Sequence, residues 1–106
     1  MEVSKMQEEV NERTSQFKPQ YRPPFQMFAQ ITEETWEIAR ALNYLHGTKK
    51  PKEGEKTTPL EEEISDLLFS VICLANAHNI DIEQERKKMM KEKRYKRDNN
   101  RFEKNP

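Results

Sequence analysis

Two pairs of carboxylates could carry the chemistry of this chain: Glu34 and Glu37 within Glu33-Glu34-Thr35-Trp36-Glu37, and Glu63 and Asp66 within Glu63-Ile64-Ser65-Asp66. Each pair lies in a run with helical apolar spacing, where residues three or four apart share a face. Like charges held that close repel one another and are costly beside an apolar core. Two such pairs on facing helices make sense with a cation between them, most simply a divalent metal. In a chain that is 36% charged, acids at this spacing also arise as part of an ordinary solvated face. Three features favour the metal. On a helical wheel Glu34 falls within an apolar arc, with Glu37 at its border and Glu33 further round. Asp66 abuts residues 67–78, which carry no formal charge. Both pairs sit on consecutive helices, which can pack antiparallel and bring the acids together.

The ligand types select the metal. Four carboxylates without a matching His or Cys make a hard oxygen site suited to Mg²⁺, with Mn²⁺ as a substitute. His46 and His78 do not fall three residues after any of these acids, which sets aside the di-iron bundle pattern. Mg²⁺ on carboxylates commonly takes substrate phosphates as further ligands, and a divalent ion can activate water for hydrolysis.

The elements that must position the acids follow from periodicity and punctuation. Val3, Met6, Val10 and Phe17 predict an amphipathic helix over residues 2–17. Three prolines in residues 18–24 predict a turn, and Pro23 or Pro24 can open the next helix. That helix is expected to run to His46, where Gly47 stops it. Phe28, Ile31, Thr35, Ile38, Leu42 and Leu45 form its predicted seam, and Phe25, Ala29 and Trp36 a second apolar face in need of a second partner. Residues 48–57 read as a solvated loop. Thr58, Pro59 and Glu61 then fit a capping box opening a third helix to about His78, buried on most sides. Asp81 caps a basic fourth helix ending near Arg97. The fold class predicted is all-α, an antiparallel bundle of about four helices in one domain over residues 1–98, with residues 99–106 a frayed tail.

Composition narrows the function classes. A hydrophobic fraction of 33% is lean for a lone unit, so the core is expected to be completed by oligomerisation, as a homodimer or homotetramer. Lys plus Arg equals Asp plus Glu at 19 each, so overall charge argues for neither nucleic acid nor membrane as a partner. The single Cys73 rules out an internal disulfide and, with no signal-like start, points to a cytoplasmic protein.

EETWE followed, after 25 intervening residues, by EISD resembles the EExxE…ExxD signature of MazG-like nucleoside triphosphate pyrophosphohydrolases. The likeness extends through Ile38 to Asn43, Asp66 to Phe69, Cys73 to Asn76, and a basic run with Arg97, Asp98 and Arg101. It covers roughly residues 17–101. What it implies is an all-α enzyme that uses Mg²⁺ to cleave (deoxy)nucleoside triphosphates between the α and β phosphates. Carried over by position, Glu34, Glu37, Glu63 and Asp66 would ligate the metal. Glu33, the first acid of the signature, would stand behind the ligands or help orient the attacking water. The products would be a nucleoside monophosphate and pyrophosphate. Members commonly have a small Gly before the last acid of each motif; here Trp36 and Ser65 stand there. The large Trp36 favours a second reading: a helical oligomerisation or nucleotide-sensing module, catalytically weak or inactive, that keeps the metal site.

Other residues carry two readings each. Lys93, Arg97 and Arg101 are spaced by four and could face the triphosphate, or form a solvated helix end. Asn76, in an uncharged segment, contacts nucleotide or bonds two helices. Tyr21, Phe25 and Trp36 could stack on a base, but packing is the commoner use. Cys73 reads as a small buried apolar residue, and His78 as a capping or interface residue.

Overall fold

The computed structural model describes residues 2–106. Four helices α1 (Val3–Thr14), α2 (Pro24–His46), α3 (Leu60–Ala77) and α4 (Ile82–Met89) follow in order. From α4 the chain continues through π-helical turns, Met90–Arg97, into α5 (Asp98–Arg101). The all-helical expectation holds: no strand occurs among the described residues. No helix there is long and apolar enough to cross a membrane.

The start and stop signals act locally. Pro24 occupies the first turn of α2, and Asp81 caps α4 by accepting the Gln84 N–H at 3.1 Å. Gly47 ends α2 at φ −88°, so its role is room rather than a left-handed turn. A Cβ there would stand 2.7 Å from the Asn43 carbonyl oxygen. α3 closes on Asn79, whose φ of 55° suits the residue type best able to adopt it after Gly. The Ile80 N–H then reaches the Ala75 carbonyl at 2.9 Å, a Schellman closure. The His78 ring contributes by bonding the Leu74 carbonyl at 2.8 Å.

Two boundaries differ from expectation. α1 ends at Thr14, not Phe17, because Thr14 and Ser15 hydroxyls bond back to the carbonyls of Val10 and Glu12. Phe17 is left outside beneath the Arg13 guanidinium. The Thr58 cap is not formed either. Pro59 is extended and lacks an N–H, so α3 begins one residue later, with the Pro59 carbonyl accepting from Glu62 and Glu63.

α2 and α3 make the main antiparallel pair, and α1 lies across α3 and touches α4. A polar junction fixes α1. The Gln7 amide donates to Asn76 Oδ1 and to the Ile80 carbonyl, both at 2.8 Å, and its oxygen accepts the Ile82 N–H at 2.9 Å. Asn76 Nδ2 returns a bond to the Gln7 carbonyl and donates to the Tyr21 hydroxyl, which in turn donates to Asn11.

The seam expected on α2 is turned. Met27 and Ala41 are buried, and the half-buried Gln30, Ile31, Glu34, Glu37, Ile38 and Tyr44 share their side. Phe28, Thr35, Leu42 and Leu45 are exposed instead. With the acids facing α3, about 100° per residue carries Phe28, Thr35 and Leu42 outward, while Leu45, five turns after Met27, is exposed at the helix end. The first three join Phe25, Ala29, Thr32, Trp36 and Ala39 on one stripe free of Asp, Glu, Lys and Arg. Trp36 is 68% exposed.

The chain accordingly buries little. Its apolar core comprises Val10, Met27, Ala41, Ile72 and Ala75. Its surface is 9050 Å², against about 6200 Å² for a compact monomer of this mass. The radius of gyration is 17.6 Å, where a compact chain of this length has about 13 Å.

Replacing Asn76 by Ala should strand half-buried partners in the α1–α3 junction, at about 1–3 kcal/mol. Melting followed by circular dichroism should show a drop of about 4–8 °C per kcal/mol lost. An unchanged melting temperature would show that the junction does not hold α1.

Candidate active site

Glu34 comes from the middle of α2, Glu63 from the first turn of α3, and Asp66 from the turn after. Antiparallel packing brings them together, with a carboxylate oxygen of each within 4.8 Å of the others. Two oxygens on opposite sides of one divalent ion lie about 4–5 Å apart, so three carboxylates at this separation fit a single hard cation. Glu63 is only 6% exposed. Its burial pushes the carboxyl pKa up; the Thr58 hydroxyl works against this, while the charges of Glu37, Asp66 and Glu34 raise it further. Among the described residues no basic side chain pairs with any of the three. Such a cluster could hold a cation from outside the chain.

The neighbouring acids stand differently. Glu37 is outside the trio and lies 3.7 Å from the Arg40 guanidinium. Glu33 is exposed on the flank of α2. Gln30, one turn before Glu34, donates its amide to Glu34 Oε1 at 2.7 Å. Sequence reasoning passed over Gln30, although its four-residue spacing from Glu34 was the available signal.

Two clefts flank the acids. The larger, about 360 Å³, is lined by Glu34 and Asp66 together with Tyr21, Met27, Phe69 and Cys73, with Arg22 as its one cation. The smaller, about 130 Å³, lies between Glu37, Glu63, Arg40, Tyr44, Lys56 and Thr58. Cys73 is held protonated by burial, which pushes its thiol pKa up and suits a packing role. The two departures from the signature leave the acids alone. Trp36 is on the outer stripe, and Ser65 bonds back to the Glu61 carbonyl on an exposed face.

Asn76 is engaged at the junction with α1, ten residues along α3 from Asp66, which is about 15 Å. Of its two readings, the structure displays the bond between helices. Lys93 and Arg97 lie on the π-helical turns and Arg101 on α5, a segment that packs chiefly on its own neighbouring turns. Within one chain these cations are not brought to the acids. Tyr21 does line the larger cleft, while Phe25 and Trp36 face away from it.

The family profile of the MazG nucleotide pyrophosphohydrolase domain matches residues 22–102. YpjD of Bacillus subtilis (strain 168) is 41% identical over 85 residues, covering 80% of this chain and 77% of that protein. Among solved structures, a Bacillus-conserved MazG protein described as a nucleotide pyrophosphohydrolase superposes with a TM-score of 0.72 at 37% identity. That alignment covers 86% of this chain and 87% of the other. YPJD from Bacillus subtilis superposes at 0.76 and 38% identity, over 88% and 95% of the two chains.

If the trio holds a divalent ion, adding Mg²⁺ should raise the melting temperature, since an ion at a hundred times its Kd adds about 2.7 kcal/mol. A chelator should reverse the rise, and Glu63→Gln should remove most of it. A wild-type protein whose melting does not respond to millimolar Mg²⁺ would contradict the site.

Proposed function

From the premise that the chain belongs to the MazG nucleotide pyrophosphohydrolase family, we propose that it hydrolyses (deoxy)nucleoside triphosphates between the α and β phosphates with Mg²⁺. The products are a nucleoside monophosphate and pyrophosphate, a reaction suited to housekeeping of the nucleotide pool. The observation that carries this reading is the trio Glu34, Glu63 and Asp66, without a basic partner, two of whose members line a cleft large enough for a nucleoside.

Glu34, Glu63 and Asp66 would hold the cation, and Glu37 would join them by exchanging its contact with Arg40. When bound, such a cation draws charge from the phosphate oxygens and acidifies water. Gln30 keeps the Glu34 carboxylate oriented, as outer partners of ligands do. Glu33, one residue before Glu34 and open to solvent, would orient the attacking water. The nucleoside would lie between Tyr21 and Phe69 in the larger cleft.

The excess surface and the uncharged outer stripe of α2 support a homodimer or homotetramer, with the stripe as its interface. In such an assembly Lys93, Arg97 and Arg101 would serve as triphosphate contacts for a neighbouring copy, because the helix carrying them leaves its own bundle.

A pyrophosphate-release assay with Mg²⁺ across a panel of nucleotides tests the activity. Glu34→Gln and Asp66→Asn should each lower turnover by about 10²-fold or more while leaving the helical signal intact. A wild type that binds nucleotide tightly yet releases no pyrophosphate would leave the nucleotide-sensing module as the better description.

Light scattering tests the assembly. The wild type should have the mass of a dimer or tetramer, and Phe28→Asp combined with Trp36→Asp should reduce it. A well-folded wild-type monomer would refute the interface.

A further inference from the structure

The loop of residues 47–59 is too short of apolar residues to pack, yet it is tied down at one point. Glu55 Oε1 accepts from the Arg40 guanidinium at 2.6 Å. Its other oxygen takes the Lys52 N–H at 2.8 Å, and the Tyr44 hydroxyl lies 3.3 Å from both. The Glu55 N–H returns to the Lys52 carbonyl at 2.9 Å, closing a tight turn. Arg40 also stacks over the Tyr44 ring, 5.8 Å from its centroid. This tether sits on α2 immediately beyond Glu37. It sets the next residues, Lys56, Thr57 and Thr58, against Glu37 and Glu63 as the wall of the smaller cleft. Lys56 has no acidic partner within ion-pair distance among the described residues.

The four acids thus form a partition. Glu34 and Asp66 line the larger cleft, and Glu37 and Glu63 the smaller. With the reacting bond over the acids, the nucleoside part and the pyrophosphate part of the substrate would lie on opposite sides. The larger cleft has aromatic and apolar walls and room for a base and sugar. The smaller one, about 130 Å³, is lined by the Lys56 ammonium, the Arg40 guanidinium and the hydroxyls of Tyr44, Thr57 and Thr58, beside the carboxylates of Glu37 and Glu63. Neither its size nor its polarity suits a nucleoside, whereas both suit phosphate groups.

We infer that the α2–α3 loop forms the subsite for the leaving pyrophosphate, with Lys56 as its charged contact and the Arg40–Glu55–Tyr44 tether as the device that positions it. This inference rests on the hydrolase reading above and adds a direction to it: the nucleoside enters on the Tyr21 side and pyrophosphate departs on the Lys56 side. Arg40 is a positioning residue, since its guanidinium is committed to Glu55. Lys56 is free to meet the β and γ phosphates. Charge favours this, because a triphosphate remains anionic beside carboxylates and a divalent ion.

Calorimetric titration of the full chain with inorganic pyrophosphate in Mg²⁺, and separately with a nucleoside monophosphate, tests it. Lys56→Ala should weaken pyrophosphate binding about tenfold or more and leave monophosphate binding unchanged, and Lys56→Arg should restore most of the loss. Glu55→Gln should weaken pyrophosphate selectively in the same way, which a general loss of stability would not do. Equal pyrophosphate affinity in wild type and Lys56→Ala, equal loss of both ligands, or no pyrophosphate binding by the wild type would overturn the subsite. The titration needs no turnover. Absent hydrolysis with Lys56-dependent pyrophosphate binding would therefore defeat the hydrolase reading alone, and hydrolysis without that dependence the subsite alone.

Discussion

Carboxylates gathered on the inner side of the α2–α3 pair constrain the rest of the structure. Glu63 is buried with Glu34 and Asp66 at hand, and among the described residues no basic side chain lies within ion-pair distance of the three. To present Glu34 and Glu37 to α3, α2 must turn so that its small and polar residues face inward. The cost falls on the core. Met27 and Ala41 are the residues α2 buries, while Phe25, Phe28, Trp36 and Leu42 are exposed away from α3. Thin core, large surface and uncharged outer stripe are therefore one consequence of a single rotational choice. A helix with this arrangement presents two unlike faces, a carboxylate cluster inside and an uncharged stripe outside.

Polar bonds take over where apolar burial is thin. At one end of the bundle Gln7 and Asn76 exchange bonds and recruit Tyr21 and Ile80 from the connecting segments and Ile82 from the start of α4. At the other, Glu55 gathers Arg40, Tyr44 and the Lys52 N–H. The first junction fastens α1 to α3 and the second fastens the α2–α3 loop, and each borders a cleft. The walls of the site are thus set by the connections, while the acids between them are set by the α2–α3 contact.

The family signature and the structure bear on each other at Trp36 and Ser65. A large residue in place of a small one is alarming only if that face meets another backbone within the bundle. Here Trp36 belongs to the outer stripe and Ser65 to a solvated turn. The substitution therefore changes the surface available to a partner and leaves the carboxylates their geometry.

Much of this was legible in the chain because it depends on interactions within a few residues. Pro24, Gly47 and Asp81 punctuate the helices by local sterics and capping, and three-residue spacing alone places each acid pair on one face. Boundaries failed where side chains bonded to nearby carbonyls, as at Thr14, or where a proline displaced the first turn, as at Pro59. What tertiary structure decided was orientation. A wheel shows that α2 has two uncharged arcs but not which one meets α3, and the acids chose the less apolar side. Nor could composition tell that Glu55 in a charged loop would be captured by Arg40, or that Asn76 would face Gln7, 69 positions away. Local bonds repeat wherever a sequence repeats, whereas facing depends on the partner across the gap, which only folding supplies.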